Sequence, residues 1–534
     1  MSFAYVLLAL NLLGVRQVPS GTQLHVRLLT TIGSYASHAG DPIRAVLIAP
    51  AFLSPGAFLQ DRTTSDLAAA GDAAQSAILP AGSILTGHLK SVQRVGFGFV
   101  HENAALDLVF DNITLPDGEV VPLASRVLAV DNGRESVAKD GSIRGRRATN
   151  TLSYRVSGYV RTAMQWEFHA ALAVWAIKTL LVQVPESELY YPAGVELTLT
   201  LTGPVQLPSA LLADSGEGPD EGLTARKSVP GALPADERMA MEELVSTLPA
   251  RTHTALTNRA SDLINLMFIG SREEITAAFE AAGWTQPVQS NMRANIRRIR
   301  AVAEGRGDAD APISLLLVDD SAPDMAWQKS FNDVSKRHHI RIWKHSELPD
   351  GREVWIGAAT RDIDFAYMRP GWAVTHKIEE NIDRERDKVV NDLTFTSCVS
   401  VVDEFGRPSL PSFTYNATGD PMTTDTSLAL VAFSPCAIGF SLGDDGSSAL
   451  VAAVAPLPRH GNRVQRFARR EVLCFRSDLL RENPYWRGYE GIRYLVSAFR
   501  DRHQHSADPQ PYARSQYPGS QTASRARPYF EMFR

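Results

Sequence analysis

The sequence predicts an α+β multidomain protein, in which an N-terminal β-barrel or β-sandwich module precedes an α/β domain with a mixed sheet. Three observations lead to this prediction: repeated turn-and-strand segments in the first half, a Pro- and Gly-rich stretch near the middle, and a strand-to-helix signal after it. The 534 residues suffice for about three domains. The composition is typical of globular proteins, and the net charge of −5 gives no reason to expect a nucleic-acid partner.

Residues 1–18 are interpreted as a truncated signal peptide or an anchor. Phe3 to Val15 is apolar apart from Asn11, a length that suits a signal-peptide core and is too short to span a bilayer comfortably. No basic residue precedes this run, since the first one, Arg16, follows it. A start codon placed too far downstream explains that gap. A buried first strand or helix is the alternative, and export is favoured over it.

Residues 19–207 are predicted to form the β-rich module. Three segments share a Pro-x-Gly turn followed by alternating polar and apolar residues, because Pro presets φ and Gly supplies a positive φ at a tight turn. These segments are Pro19–Leu28, Pro80–Leu89 and Pro192–Leu201. Pro116-Asp117-Gly118 predicts a further turn. Short strands separated by such turns favour a barrel or a sandwich.

This module is similar in style to the β-barrel part of conjugation-type channel proteins such as TrbI. The residues that carry the resemblance are Gly21-Thr22-x-Leu24-x-Val26-Arg27-Leu28, Ala39-Gly40-Asp41 and Pro80-x-Gly82-Ser83. The resemblance implies an extracytoplasmic location and no catalysis.

One apolar segment lies within this module, and a linker follows the module. Met164 to Val184 is apolar enough to suggest a membrane span, but its Glu167, His169 and Lys178 are costly in hydrocarbon. A long buried helix packed on the β module is therefore predicted. Residues 208–241 are rich in Pro, Gly, Asp and Glu without an apolar period, which predicts a flexible linker.

The domain that follows opens with a strand from Leu263 to Ile269 and a helix whose capping box is Ser271 with Glu274. A hairpin comes next. Period-two alternation places Ile340 and Ile342 on one face, with His339, Arg341 and Trp343 on the other. Val354 and Ile356 are predicted to join the isoleucines, whereas Trp355 and Gly357 are predicted to share the polar face. A helix is predicted from Asp383 to about Leu393.

Roughly residues 242–398 resemble the LssY-like C-terminal domain of bacterial envelope proteins, and the α/β domain is predicted over residues 242–400. The residues that carry the resemblance are Asp262, Asn265, Gly270, Ala282-Gly283-Trp284, Arg337-His338-His339-x-Arg341-x-Trp343, Asp350-Gly351-x-x-x-Trp355-x-Gly357, Asp362, Thr375-His376 and Asp383-x-Glu385-Arg386. Related proteins place this domain beside phosphatase-type or DedA-type membrane modules. No such module is visible in this chain, so those activities are not carried over.

Two sites are considered in this domain. The candidate catalytic or metal-binding residues are His339, His376, Asp362, Asp383 and Glu385. Their residue types suit a divalent metal or an acid–base pair, but their spacing matches no recognised metal motif, so a packing role is favoured. The candidate ligand-binding residues are Arg337, Arg341, Trp343 and Trp355, since Arg forks and Trp planes suit an anionic or sugar-like ligand. Arg paired with carboxylates on a covered strand is an equal alternative.

The last third is predicted to be an appended β/α segment over residues 401–500 and a disordered tail over 501–534. Two apolar strands are predicted, from Leu428 to Phe440 and from Ala449 to Pro456. The three cysteines, Cys398, Cys436 and Cys474, allow at most one intramolecular disulfide.

The sequence therefore predicts a bacterial cell-envelope protein with a binding, assembly or membrane-associated accessory role and no catalysis or cofactor of its own. The predicted location is the periplasm or the extracytoplasmic face of the inner membrane. The expected partners are an envelope protein or an anionic or sugar-like ligand, with a membrane surface as a further candidate. The alternative is a metal-assisted hydrolase that uses the His, Asp and Glu residues named above.

Overall fold

A computed structural model describes the following residues: 16–51, 79–95, 103–146, 156–182 with gaps, 186–207, 230–288, 296–308 with gaps, 311–368, 373–436, and positions 464, 465, 468 and 492. The chain divides into two compact units, Met1–Ser477 and Asp478–Arg534. Almost all described residues belong to the first unit. Residues 1–15 of the predicted signal segment, the strand from Ala449 to Pro456 and the tail lie outside the described residues.

The N-terminal part is mostly β and forms a nearly closed, barrel-like sheet, which agrees with the predicted module. The strands of this part are β1 (Arg16–Val18), β2 (Gln23–Leu28), β3 (Ile32–Gly33), β4 (Pro42–Leu47), β5 (Ile84–Gln93), β6 (Ala105–Thr114), β7 (Val120–Pro122), β8 (Ser125–Val130), β9 (Ser136–Val137), β10 (Ile143–Arg144), β11 (Tyr190–Tyr191), β12 (Glu196–Leu201) and β13 (Val205–Leu207). The strand order in the barrel-like sheet is β8-β12-β2-β4-β5-β6-β10-β9, with β7 beside β6, and the pairs are antiparallel.

The turns predicted from Pro-x-Gly open strands of this sheet. Gly21, Gly82 and Gly194 have φ values of 91°, 94° and 97°, and they precede β2, β5 and β12. A residue with a Cβ is strained at these angles, so Gly fixes where each strand begins. The alternating apolar residues after each turn then point into one core, where Leu24, Leu85 and Leu197 are buried.

Helix α1 (Phe168–Leu181) differs from the prediction. The sequence predicts a buried helix packed on the β module, but Phe168, Leu172, Val174, Ile177 and Leu181 are all exposed. Successive residues turn by about 100°, so Phe168 and Leu172 lie on one side of the helix and the other three on the opposite side. Packing on a single sheet buries only one side of such a helix. No helix among the described residues is both long and apolar enough to cross a membrane.

The C-terminal part forms a mixed sheet, and we call residues 230–436 the mixed-sheet domain. The elements are α2 (Ala235–Thr247), β14 (Arg251–Thr254), β15 (Ala260–Leu263), β16 (Leu266–Ile269), α3 (Arg272–Ala281), β17 (Leu316–Leu317), β18 (Met325–Lys329), β19 (Arg337–Glu347), β20 (Glu353–Met368), β21 (Ala373–Ile378), α4 (Asp383–Phe395), β22 (Val399–Gly406), β23 (Phe413–Tyr415), β24 (Pro421–Thr423) and β25 (Ser427–Phe433). The strand order of the mixed sheet is β18-β19-β20-β16-β25-β22, with β21 beside β20, and β16 pairs with β25 in parallel. A smaller sheet has the order β15-β14-β17, and β23 pairs with β24.

Both faces of the mixed sheet are covered. Helices α3 and α4 pack on one face, where Phe279 and Leu393 join a single core with Ile340. Helix α2 packs on the other face, where Val245 joins a second core with Trp343. The capping box predicted at the start of α3 is present, and α4 begins at the predicted residue.

Two predicted domain boundaries are different in the structure. Helix α2 occupies the end of the predicted linker, because Met241 and Val245, four residues apart, are buried together while the first turn carries Asp236 and Glu237. The predicted boundary at residue 400 falls inside the domain, because β25 lies between β16 and β22 in the mixed sheet.

The face assignment in the predicted hairpin is wrong for β20. In the observed register Ile342 faces Gly357 and Trp343 faces Ile356. Gly357 and Trp355 therefore share the face of the two isoleucines, and Val354 and Ile356 share the face of Trp343. Apolar residues occupy both faces because both are covered, so alternation alone does not identify the core face.

Candidate functional site

A cleft of about 600 Å³ lies where the barrel-like sheet meets the mixed-sheet domain. Residues of both parts line it, which the sequence pattern of either part alone does not predict. We call it the junction cleft. Its charged and imidazole side chains are His25, Asp131 and Glu196 from the barrel-like sheet and its turns, and His338, Arg361, Glu379, Arg384, Glu385, Asp387, Lys388 and Asp392 from the mixed-sheet domain.

His338 joins the two parts at this cleft. Its Nδ1 lies 2.5 Å from Glu385 Oε2, and its Nε2 lies 2.8 Å from Asp131 Oδ2. Burial disfavours the charged ring, but attraction by Asp131 and Glu385 outweighs it and raises the pKa of His338 to about 9. The ring is therefore an imidazolium at neutral pH, and both of its nitrogens donate to carboxylates.

Asp131 is held by two cations at once. Arg361 Nη2 donates to its Oδ1 over 2.8 Å, while His338 binds its other oxygen. Burial alone raises the pKa of Asp131, but His338 and Arg361 together lower it well below the usual range. Burial instead dominates for Glu385 and raises its pKa despite the neighbouring imidazolium. One carboxylate from the β8–β9 connection thus anchors two side chains of the mixed sheet.

A second ion cluster forms the adjoining wall of the cleft. Glu196, at the start of β12, accepts from Lys329 and Lys388 over 2.7 and 2.8 Å and from Arg27 over 2.7 Å. The two lysines also bind Asp392 of α4. Attraction by the three cations outweighs burial and lowers the pKa of Glu196 well below its usual value. The walls of the cleft are therefore fixed by ion pairs that cross from one part to the other.

Three of the five predicted catalytic residues lie together, away from the junction cleft. His339 Nε2 is 3.1 Å from Asp362 Oδ1, and His376 Nδ1 is 3.5 Å from Asp362 Oδ2. Arg337 Nε also donates to Asp362 Oδ2, over 2.6 Å. Burial is outweighed here by His339 and Arg337, so the pKa of Asp362 lies far below its usual range. Among the described residues, no group of three or more His, Cys, Asp or Glu side chains is placed to hold a metal ion.

The other two predicted catalytic residues lie elsewhere. Asp383 caps a turn, since it accepts from Thr424 Oγ1 over 2.8 Å and from the backbone N–H of Asp425 over 2.7 Å. Glu385 binds His338. This histidine lies on the opposite face of β19 from its neighbour His339. The five residues therefore do not converge on one site. The sequence carries no signal for the His338–Glu385 pair, because the two residues lie on separate elements. Asp131, the second partner of His338, belongs to the barrel-like sheet.

The two predicted ligand-binding arginines are buried and bonded within the domain. Arg337 binds Asp362. Arg341 donates to Ser314 O over 3.0 Å and to Asp262 over 3.3 Å. These contacts match the alternative in which Arg pairs with carboxylates on a covered strand. A role in ligand binding stays a prediction for both residues.

The two predicted ligand-binding tryptophans lie on opposite faces of the sheet. Trp343 Nε1 donates to Ser321 O over 3.0 Å, and Trp355 Nε1 donates to Gly270 O over 2.9 Å. Trp355 is therefore not brought to the other three side chains. The shared spot predicted for the four residues is absent from the described geometry.

Comparison with known proteins identifies the mixed-sheet domain. Residues 245–428 match the family model described as LssY C-terminus. No curated protein matches the chain. The match starts within α2 and ends within β25, so it spans the mixed sheet between these two elements. The matched residues, about a third of the chain, are therefore similar to the LssY C-terminus family, and they fold into the mixed sheet described above.

Proposed function

We propose that the protein is a bacterial cell-envelope accessory protein without catalysis of its own, and that the junction cleft holds an anionic or sugar-like ligand. The observation that carries this proposal is the cleft itself, because two modules build it and ion pairs between them fix its shape. A concave site of this volume suits a small ligand. Side chains that already bind each other, such as His338 with Asp131, position a surface rather than supply a free base.

Arg384 supports an anionic group in the ligand, although the lining as a whole carries more carboxylates than cations. Arg361, Arg384 and Lys388 line the cleft, and the Arg384 side chain is 72% exposed. Arg384 binds Glu379 over 2.9 Å, so its guanidinium is oriented and still open to a second partner. An Arg fork of this kind binds carboxylate or phosphate with two parallel hydrogen bonds.

The disulfide between Cys398 and Cys436 supports the envelope location. It connects the loop after α4 with the end of β25, and Cys398 is fully buried. Disulfides persist in oxidising compartments such as the periplasm and are rare in the bacterial cytosol. Cys474 lies outside the described residues.

Filling the cleft tests the binding role. Ala129 lines the cleft and is exposed, so Ala129→Trp blocks the cleft without touching an ion pair. Ala124→Trp is the matched control, since Ala124 is exposed just before the same strand, β8, and lies outside the cleft lining. Calorimetric titration with inorganic phosphate and with N-acetylglucosamine should show that one probe binds the parent and the control but not Ala129→Trp. Equal binding by all three proteins, or no binding by any, contradicts the role.

Two further measurements test the location and the absence of catalysis. Residues 1–30, also with the upstream reading frame included, are fused to a reporter that is active only in the periplasm. We expect activity from the fusion, and a silent reporter in both versions argues against the envelope. Elemental analysis of protein purified without chelator should find far less than one metal ion per chain. A stoichiometric metal would favour the hydrolase alternative.

A further inference from the structure

Helix α1 is an apolar element that the fold leaves mostly uncovered, although Lys178 is buried and Trp175 is half-buried. It lies between β10 and β11 and has 14 residues, among which His169 and Lys178 carry the only titratable side chains. Ile177 is 58% exposed and Leu181 is 62% exposed. Trp166, just before the helix, is 87% exposed. Large apolar side chains that are exposed along three helical turns mark a surface that a membrane or another molecule covers.

The distribution of these side chains around α1 indicates what covers it. A partner protein that holds a helix in a groove contacts one stripe, at positions i, i+3, i+4 and i+7. In α1, Phe168 and Leu172 lie on one side, while Val174, Ile177 and Leu181 lie on the opposite side. Lipid contacts a helix from several directions, so it matches an apolar surface of this width better than a groove does.

The length of α1 and its aromatic neighbours agree with the surface layer of a bilayer. At 1.5 Å per residue the helix is about 21 Å long, which is less than the hydrocarbon thickness of about 30 Å. It therefore inserts shallowly rather than crosses. Tyr159 and Trp166 are exposed on its N-terminal side, and these residue types concentrate where hydrocarbon meets lipid headgroups.

We propose that α1 docks the protein on a lipid bilayer by inserting its apolar side chains into the hydrocarbon of one leaflet. This inference deepens the proposed function, because it names the partner surface and the element that binds it. It does not depend on the junction cleft. A bilayer surface is the occupant proposed here, and a second copy of the chain is the competing outcome that the test separates.

The test measures binding of the full chain to vesicles of phosphatidylethanolamine and phosphatidylglycerol by sedimentation. The variant Leu172→Gln/Ile177→Gln removes one apolar side chain from each side of the helix without adding charge. Because both side chains leave water on insertion, the partition coefficient should fall by about tenfold or more. The matched control is Leu256→Gln/Leu315→Gln, which replaces two exposed apolar residues outside α1 and should leave binding unchanged.

Three results overturn the inference. The first is no binding of the parent to these vesicles. The second is an equal loss in both double variants. The third is self-association of the parent without vesicles that the α1 variant alone abolishes, which assigns the surface to a second copy. Circular dichroism of the α1 variant checks that it is folded. Failure here leaves the reporter fusion and the cleft titration unaffected, so the two proposals fail separately.

Discussion

The imidazole of His338 and the carboxylate of Asp131 form an ion pair of 2.8 Å between residues that are 207 positions apart in the sequence. One belongs to the LssY-like sheet and the other to the barrel-like sheet. Since Glu385 holds the opposite ring nitrogen, the imidazolium connects a helix, a strand and a turn from two modules. This contact couples the stability of the two modules and fixes the wall of the junction cleft.

Asp131→Asn should lower the free energy of unfolding by about 3 kcal/mol, because it leaves buried His338 and partly buried Arg361 without their shared counter-charge. The matched control is Asp111→Asn. Asp111 pairs with His88 on the surface, where both side chains are nearly half exposed, and such pairs contribute less than about 1 kcal/mol. Urea unfolding at pH 7 measures both changes. Equal losses in the two variants would show that the junction pair contributes no more to the free energy of unfolding than a surface pair does.

The stability of the protein should fall as the pH rises from 6.5 towards 9, and His338 should account for part of that fall. The folded-state pKa of about 9 lies above the ordinary value of 6.5. The stabilisation is therefore complete below pH 6.5 and is lost as the pH rises through 9. The expected size is about 3 kcal/mol across this window. Unfolding curves at pH 6 and pH 9 for the parent and His338→Gln measure it, and identical pH dependence in both would refute it.

Glu404→Gln should stabilise the protein at pH 8 and change little at pH 5. Burial raises the pKa of Glu404 from its ordinary value of 4.5 to about 7 despite the nearby Arg386, so stability is lost as the pH rises through this range and the loss is complete above pH 7. The gain at pH 8 should be about 1 kcal/mol, because Arg386 keeps three other carboxylates. Asp425→Asn in the same cluster should instead lose about 2 kcal/mol, because Asp425 binds Arg386 through both oxygens. Thermal unfolding at the two pH values distinguishes these cases.

Reduction should destabilise the protein through the Cys398–Cys436 bond. The bond closes a loop with a sequence separation of 38, and a loop of this size corresponds to about 4 kcal/mol in the chain-entropy model. Dithiothreitol should lower the Tm of the parent and of Cys474→Ala by the same amount. It should have no effect on the double variant Cys398→Ala/Cys436→Ala. A Tm of the parent that does not respond to reduction is the contrary result.

Local signals in the sequence predicted local structure well. The Pro-x-Gly turns before β2, β5 and β12, the capping box at Ser271 and the first residue of α4 each depend on a few neighbouring residues. Torsion angles and hydrogen bonds over three or four positions decide them, so no distant part of the chain is needed.

Features set by distant contacts were not predicted. The register that places Gly357 opposite Ile342 depends on covering helices on both faces, which make both sets of alternating residues apolar. The exposure of α1 depends on what the barrel-like sheet leaves uncovered. His338 meets Asp131 only because the modules pack together, and neither residue carries a pattern that predicts the pair. Of the nine candidate residues predicted from the sequence, Glu385 alone lines the junction cleft.

The central position of β25 restricts how this chain can be divided into fragments. The strand pairs in parallel with β16 on one side and antiparallel with β22 on the other. A recombinant fragment that stops at residue 400 lacks β25 and most of β22, which leaves the edge of β16 open. A fragment that stops at residue 428, where the family match ends, lacks most of β25 and leaves the edges of both β16 and β22 open. Such edges pair with other chains, so these fragments should aggregate. An expression fragment has to extend past Phe433, and past Cys436 to retain the covalent link.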